Sequence, residues 1–310
     1  MKEKYAISRE FFPLNLFTPP MSLPAIKASQ KMMGVPAFLG RDSNLCVQSF
    51  TVPAYQNGEI EVLFLTPKNT PRPAPCLLYI HGGGFVFDAA PYQYRHATMY
   101  AKGASCAVAF VRYRLAPDYP FPFPQEDCYC AATWLVAHAE ELGVDPLRIG
   151  IAGDSAGGML TATTCMMLRD RGNAVQPLFQ LLIYPWLDTR NNSNSNKRFV
   201  DVPMWNSTLS KKVEPIINPN PDATPLAYRS PVEAQNFTGL PPAYIEVAEF
   251  DCLHDDGILY ADRLRAQGIR VELHETHGTI HAFDSKLSAP TTKEMLAKRI
   301  DFMSLMFNKS

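Results

Sequence analysis

Gly153-Asp154-Ser155-Ala156-Gly157 sets a serine among residues with little or no side chain, directly after the apolar-flanked run Arg148-Ile149-Gly150-Ile151-Ala152. A nucleophile projected from a sharp strand-to-helix bend needs such neighbours, because the backbone passes close to itself there. Upstream, His81-Gly82-Gly83-Gly84 is a glycine run whose backbone can approach a reacting group closely. The chemistry that these two segments imply together is acyl transfer to a serine hydroxyl. A serine hydroxyl is a poor nucleophile unaided, so Ser155 needs a base to take its proton, and the base needs an acid partner to hold its tautomer.

In α/β-hydrolases these groups follow in the order Ser, then Asp or Glu, then His, each on a loop after a strand. The loop after a predicted strand from Tyr244 to Ala248 offers Glu249, Asp251, Asp255 and Asp256. The last two read as N-terminal residues of the next helix, with Asp255 as its cap, where the helix dipole favours negative charge. Of the remaining two, Asp251 is the expected acid. For the base, His254 comes too early in the chain and His274 lies inside the predicted final strand, which leaves His277 and His281 in the loop beyond it. Spacing alone does not separate those two.

The elements that must position these groups alternate along the chain. From Leu45 to Pro67, β-rich runs broken at Asn57-Gly58 predict a hairpin, because Asn-Gly supplies the positive φ of a tight turn. Predicted strands then run from Cys76 to Ile80, Ala104 to Val111, Arg148 to Ala152, Gln180 to Tyr184, Tyr244 to Ala248 and Arg270 to Glu275. Between them fall predicted helices from Tyr92 to Lys102, Gln125 to Leu142, Ser155 to Arg171 and Asp255 to just before Gly268. Such alternation specifies an α/β fold with a mostly parallel central sheet and helices on both faces. In the last helix, Leu296, Ile300, Met303 and Phe307 form an apolar stripe that belongs to the core.

Two segments stand outside this winding. Residues 1–40 carry Phe11, Phe12, Leu14, Leu16, Phe17 and Met21 among prolines, and residues of about 188–235 form a Pro/Asn-rich insertion containing Met204 and Trp205. Both emerge where insertions could roof a site at the carboxyl ends of parallel strands. The expected organisation is an N-terminal cap segment over 1–40 and a catalytic domain over 41–310 that holds the cap insertion. Within the insertion, the polar run Asn191 to Asn196 reads as an exposed loop. Phe85, Phe87, Tyr184 and Trp205 are candidate pocket-lining aromatics, Phe85 foremost.

Charge balance narrows the ligand. With 29 basic against 30 acidic residues, the chain has no electrostatic footprint for nucleic acid or an anionic membrane, so a small or neutral ligand is expected. Seven cysteines, an odd and dispersed count, mostly in apolar stretches, read as buried thiols in a reducing, cytoplasmic compartment. Cys128 and Cys130 point away from each other on a helix, which argues against a metal pair or a disulfide. The first ten residues lack the apolar block of a secretory signal, and no stretch approaches the ~20 apolar residues of a membrane span. The final strand or helix is a candidate surface for a homodimer.

Four segments resemble the hormone-sensitive-lipase-like esterases, also called family IV, of the α/β-hydrolase superfamily. They are His81-Gly82-Gly83-Gly84-Phe85, Gly153-Asp154-Ser155-Ala156-Gly157-Gly158, Asp251-Cys252-Leu253-His254-Asp255 and Gly278-Thr279-Ile280-His281-Ala282-Phe283, and Tyr113-Arg114-Leu115-Ala116-Pro117 is similar too. The resemblance spans residues 81–283. It implies a Ser155, His281, Asp251 triad, an oxyanion hole from the backbone N–H groups of Gly83, Gly84 and Ala156, supporting roles for His81 and Asp154, no metal or organic cofactor, and esters with short-to-medium acyl chains. Two departures are small: the family usually has Pro where Cys252 stands and often Gly where Ala282 stands. The first leaves the rigidity of the acid loop open, since proline would fix φ there. Two other readings share the fold, an amidase or peptidase on the same triad and a non-catalytic ligand receptor.

Overall fold

A computed structural model describes residues 4–32, 34–36, 38–39 and 42–308. Eight strands form one sheet: β1 (Leu45–Ala54), β2 (Gly58–Pro67), β3 (Ala74–Ile80), β4 (Ala107–Arg112), β5 (Val144–Asp154), β6 (Gln180–Ile183), β7 (Ala243–Phe250) and β8 (Val271–Ile280). Their order is β1-β2-β4-β3-β5-β6-β7-β8. The pairs β1·β2 and β2·β4 are antiparallel and the rest parallel, so the expected α/β sheet with an antiparallel start is what the chain forms.

A parallel strand covered on both faces must be apolar on both faces, and β3 is buried along its whole length. Its successive side chains alternate between two cores. Cys76, Leu78 and Ile80 join the core under the helices Phe123–Ala137, Ala156–Asp170 and His254–Ala266, whereas Leu77 and Tyr79 join the core under Pro91–Gly103 and Pro290–Phe307. Of the final stripe, Leu296, Met303 and Phe307 are buried and Ile300 packs against them.

Several boundaries differ from expectation for local reasons. In the hairpin the positive φ angles fall on Gln56 and Asn57, at 54° and 55°, while Gly58 is extended and already belongs to β2. The helix expected over Gln125 to Leu142 breaks at His138 into Phe123–Ala137 and Ala139–Leu142. Asp255 is not a cap; it sits in the first turn of a helix that starts at His254. β8 runs five residues further than read, so His277 lies in a strand. Cys46 is exposed and Cys130 half-buried; the other five cysteines are buried.

The polar run Asn191 to Asn196 is an exposed loop only in part, with Asn192 and Asn194 exposed. Ser195 and Asn196 begin the short helix Asn194–Arg198, are 3% and 1% exposed, and hydrogen-bond to the carbonyl oxygen of Cys252 at 2.9 and 2.8 Å. Further along the insertion, the Met204 N–H donates to the Phe17 carbonyl at 2.7 Å, which brings the insertion and the N-terminal segment together.

Candidate active site

Ser155 stands between the end of β5 and the helix Ala156–Asp170, with φ 55° and ψ −117°. A non-glycine residue held there is strained, and the surroundings must enforce it. Backbone crowding explains the flanking glycines: a Cβ on Gly153 would lie 2.2 Å from the Gly157 carbonyl oxygen, and one on Gly157 would lie 2.0 Å from that of Ile80. The Ser155 N–H donates to the Ile183 carbonyl at 2.8 Å, which ties the elbow to β6.

His281 follows β8 directly. Its Nε2 lies 2.8 Å from Ser155 Oγ and its Nδ1 lies 2.6 Å from Asp251 Oδ2, while Asp251 Oδ1 accepts the Leu253 N–H at 2.9 Å. All three side chains are buried. An ionised carboxylate only accepts, so Nδ1 carries the imidazole proton and Nε2 is free to accept from the serine hydroxyl. The other candidate, His277, has a side chain 80% exposed and 3.7 Å from Glu249. Glu249 in turn accepts the Gly278 N–H at 2.7 Å, and Asp255 accepts the Ser195 N–H at 2.8 Å, so these carboxylates serve local structure.

Across the cavity lies the glycine run. Gly83 and Gly84 adopt φ 121° and 60°, and the Gly83 carbonyl accepts the N–H groups of Val86 and Phe87, closing the loop into a turn. Among the described residues, the N–H groups of Gly83, Gly84 and Ala156 meet no acceptor. His81 is fully buried, stacked on Tyr113 at 4.4 Å, with Nδ1 2.6 Å from the Gly82 carbonyl oxygen. Burial pushes its imidazole down to about 4, so the ring is neutral at neutral pH and braces the loop as a hydrogen-bond donor. Asp154 accepts from Tyr79 Oη at 2.9 Å, Gln93 Nε2 at 2.7 Å and the Gly82 N–H at 3.2 Å, joining the elbow to the same loop.

A cavity of about 100 Å³ opens on Ser155 and His281, walled by Phe17, Phe87, Met204 and Trp205 among others. Of the expected aromatics, Phe87 and Trp205 line it. Phe85 does not: it is fully buried, edge-on to Phe121 at 4.9 Å. Tyr184 instead packs edge-on against the His281 ring at 4.8 Å. A larger surface groove of about 380 Å³ beside Phe38, Leu39 and Met99 is lined by neither Ser155 nor His281. Among the described residues, no cluster of three or more His, Cys, Asp or Glu could hold a metal ion, and no helix is long and apolar enough to cross a membrane. Sequence reasoning missed Tyr79 and Gln93, whose partner Asp154 is distant in sequence; Phe17, from the N-terminal segment expected to roof the site, is in the cavity wall.

Comparison with known proteins places the fold in a family. A family profile described as alpha/beta hydrolase fold matches residues 77–285. Esterase LipI of Mycobacterium tuberculosis is 37% identical over 68% of this chain, and the aligned part spans 66% of the relative's own length. Carboxylesterase NlhH of the same species is 32% identical over 86% of this chain and 79% of its own. Among solved structures, a bacterial heroin esterase superimposes with a TM-score of 0.86 at 33% identity, covering 98% of this chain and 99% of that one. The chain belongs to the alpha/beta hydrolase family, among its carboxylic ester hydrolases.

Proposed function

We propose that the chain cleaves esters through an acyl-Ser155 intermediate, with His281 as general base and acid, Asp251 as its orienting partner, and the N–H groups of Gly83, Gly84 and Ala156 as the oxyanion hole. The observation that carries this reading is the hydrogen-bonded line from Ser155 through His281 to Asp251, at 2.8 and 2.6 Å. As Ser155 Oγ attacks the ester carbonyl, its proton passes to His281 Nε2, and Asp251 stabilises the resulting imidazolium. The carbonyl oxygen takes up the negative charge and is stabilised by roughly 2.7–4 kcal/mol per N–H donor, judged by removal of one. Collapse expels the alcohol, which takes the proton from His281. Water, deprotonated by the same nitrogen, then releases the acid.

Short acyl chains fit best. The cavity of about 100 Å³ has room for a few heavy atoms beside the serine, and Trp205, only 6% exposed, closes one wall. In this reading the N-terminal segment, through Phe17 and Pro19, and the insertion, through Met204 and Trp205, act as the two caps that exclude water from the acyl-enzyme. The free cysteines support a cytoplasmic setting, and the open sheet edge at β8 is the surface offered to a second copy.

The test is a p-nitrophenyl ester series from acetyl to laurate on wild type and Ser155→Ala. Turnover should be highest on the shortest acyl groups and fall by at least about 10³-fold in the variant, and a fluorophosphonate should label Ser155. Full activity in Ser155→Ala with labelling elsewhere would refute the assignment.

A further inference from the structure

Arg299 has no solvent exposure, although it lies in the middle of the final helix. A buried guanidinium needs partners, and this one has three. Its Nε donates to Glu246 Oε2 at 2.9 Å and its Nη2 to Glu246 Oε1, while its Nη1 donates to Asp284 Oδ2 at 2.8 Å and to Tyr100 Oη at 3.1 Å. Both carboxylates are also without exposure. Taking these charges out of water costs more than their attraction commonly returns, so such a network is weak evidence for stability and points instead to a fixed geometry.

The positions of the partners say which geometry. Glu246 lies on β7, five residues before Asp251, and Asp284 lies three residues after His281. Tyr184 closes the figure: its N–H donates to the Glu246 carbonyl at 2.6 Å, its hydroxyl donates to Asp284 Oδ1, and its ring edge meets the His281 imidazole at 4.8 Å. One guanidinium thereby spans the segments that deliver the acid and the base.

We infer that Arg299 is a positioning residue for the reaction, acting through Asp284 and Tyr184 to hold the His281 imidazole in line between Asp251 and Ser155, with Glu246 as its anchor on the strand that carries the acid. The inference rests on the triad reading above. It assigns the carboxy-terminal helix a part in catalysis without contact to the substrate. A misplacement on the order of 1 Å at the base lowers a rate by on the order of 100-fold, so small changes in this network should register in kcat.

The test compares wild type with the charge-neutral triple variant Arg299→Met, Glu246→Gln, Asp284→Asn and with Arg299→Lys. The triple variant leaves no unpaired buried charge and should fold with a thermal midpoint close to wild type. It should lose on the order of 100-fold in kcat with KM within about threefold, and Arg299→Lys, which keeps the charge but loses the fork, should lose about tenfold. The strongly downfield proton resonance of the His281 Nδ1–H, shared with Asp251, should broaden or vanish in the triple variant. A folded triple variant with wild-type kcat and an unmoved resonance would overturn the inference. Should the triple variant not fold, wild-type kcat in Arg299→Lys would overturn it equally. The resonance is read without substrate, so an inactive wild type that still shows it would count against the ester reading and not against the positioning role.

Discussion

Asp154, the residue before Ser155, feels the charge of Asp284, the residue three beyond His281. Both carboxyls are buried, and burial first, then repulsion from Asp284, pushes Asp154 from the ordinary aspartate value of 3.8 up to about 6. The folded protein therefore holds this proton more tightly than the unfolded chain does. The stability so gained is complete below the unfolded value of 3.8 and is lost as pH rises through about 6. Asp154→Asn has no such proton, so the stability of wild type relative to the variant should fall by on the order of 2–3 kcal/mol between about pH 4 and pH 8. Urea unfolding of both proteins at the two pH values checks this. A difference that does not vary with pH would mean that Asp154 titrates as an ordinary carboxyl.

Ala282 adopts left-handed backbone, with φ of 55° and ψ of 30°. A Cβ in left-handed backbone costs about 1–2 kcal/mol, whereas glycine costs roughly 0.5–1 kcal/mol in unfolded-state entropy. Ala282→Gly should accordingly raise stability by up to about 1 kcal/mol. Its effect on kcat should be small, because the Ala282 carbonyl keeps its bonds from the N–H and hydroxyl of Ser285. Calorimetry and a single-ester assay measure both, and a lower melting point in the variant would contradict the argument.

The parts legible in the sequence were those whose chemistry is local. The strained turn at Ser155 needs glycines two residues to either side, so it announces itself, and the two-sided burial of β3 is foreshadowed by the apolar run Cys76 to Ile80. His281 was separable from His277 only by resemblance, because the edge strand β8, whose first four residues are all half-buried, leaves its far end undecided. Polar residues buried by partners distant in sequence were not legible. Ser195 and Asn196 read as a loop because their acceptor lies more than fifty residues away. Arg299 did leave a trace, since it sits three residues after Leu296 and four before Met303, on the apolar stripe itself. A charge in such a stripe signals a buried partner without naming it.

The Cys252 carbonyl, next to Asp251, accepts from Ser195 Oγ and Asn196 Nδ2. This clamp from the insertion holds the loop that carries Asp251. Ser195→Ala with Asn196→Ala leaves a buried carbonyl unpaired, and should destabilise the protein by about 1–3 kcal/mol. Because the loop that aims Asp251 is then loosened, kcat should fall about tenfold while KM moves little. Either single variant, which leaves one donor in place, should show less than half of the effect. Steady-state kinetics with parallel urea titrations would decide it, and a double variant that loses stability but keeps its kcat would confine the clamp to folding.

Trp205 bounds the cavity from the insertion side: its ring lies where a Cβ on Gly84 would come within 2.7 Å, it faces His281 at 6.2 Å, and its Nε1 donates to Ser210 Oγ at 2.9 Å. It is thus held in place against the glycine loop, and in the proposed reaction it bounds the space for an acyl chain beside Ser155. Trp205→Leu keeps the wall apolar while removing the larger ring, and so lengthens the cavity without placing a polar group in it. A single methylene in an apolar pocket is worth about 1–3 kcal/mol, or 10–200-fold in rate. The ratio of kcat/KM for p-nitrophenyl octanoate to that for the acetate should therefore rise at least about tenfold in the variant. Some stability will be lost, because Ser210 forfeits its donor and part of the core its packing, so the ratio and not the absolute rate is the reading that matters. An unchanged ratio in a folded variant would show that the acyl chain lies along another wall, and Phe87 and Met204 would then be the residues to vary.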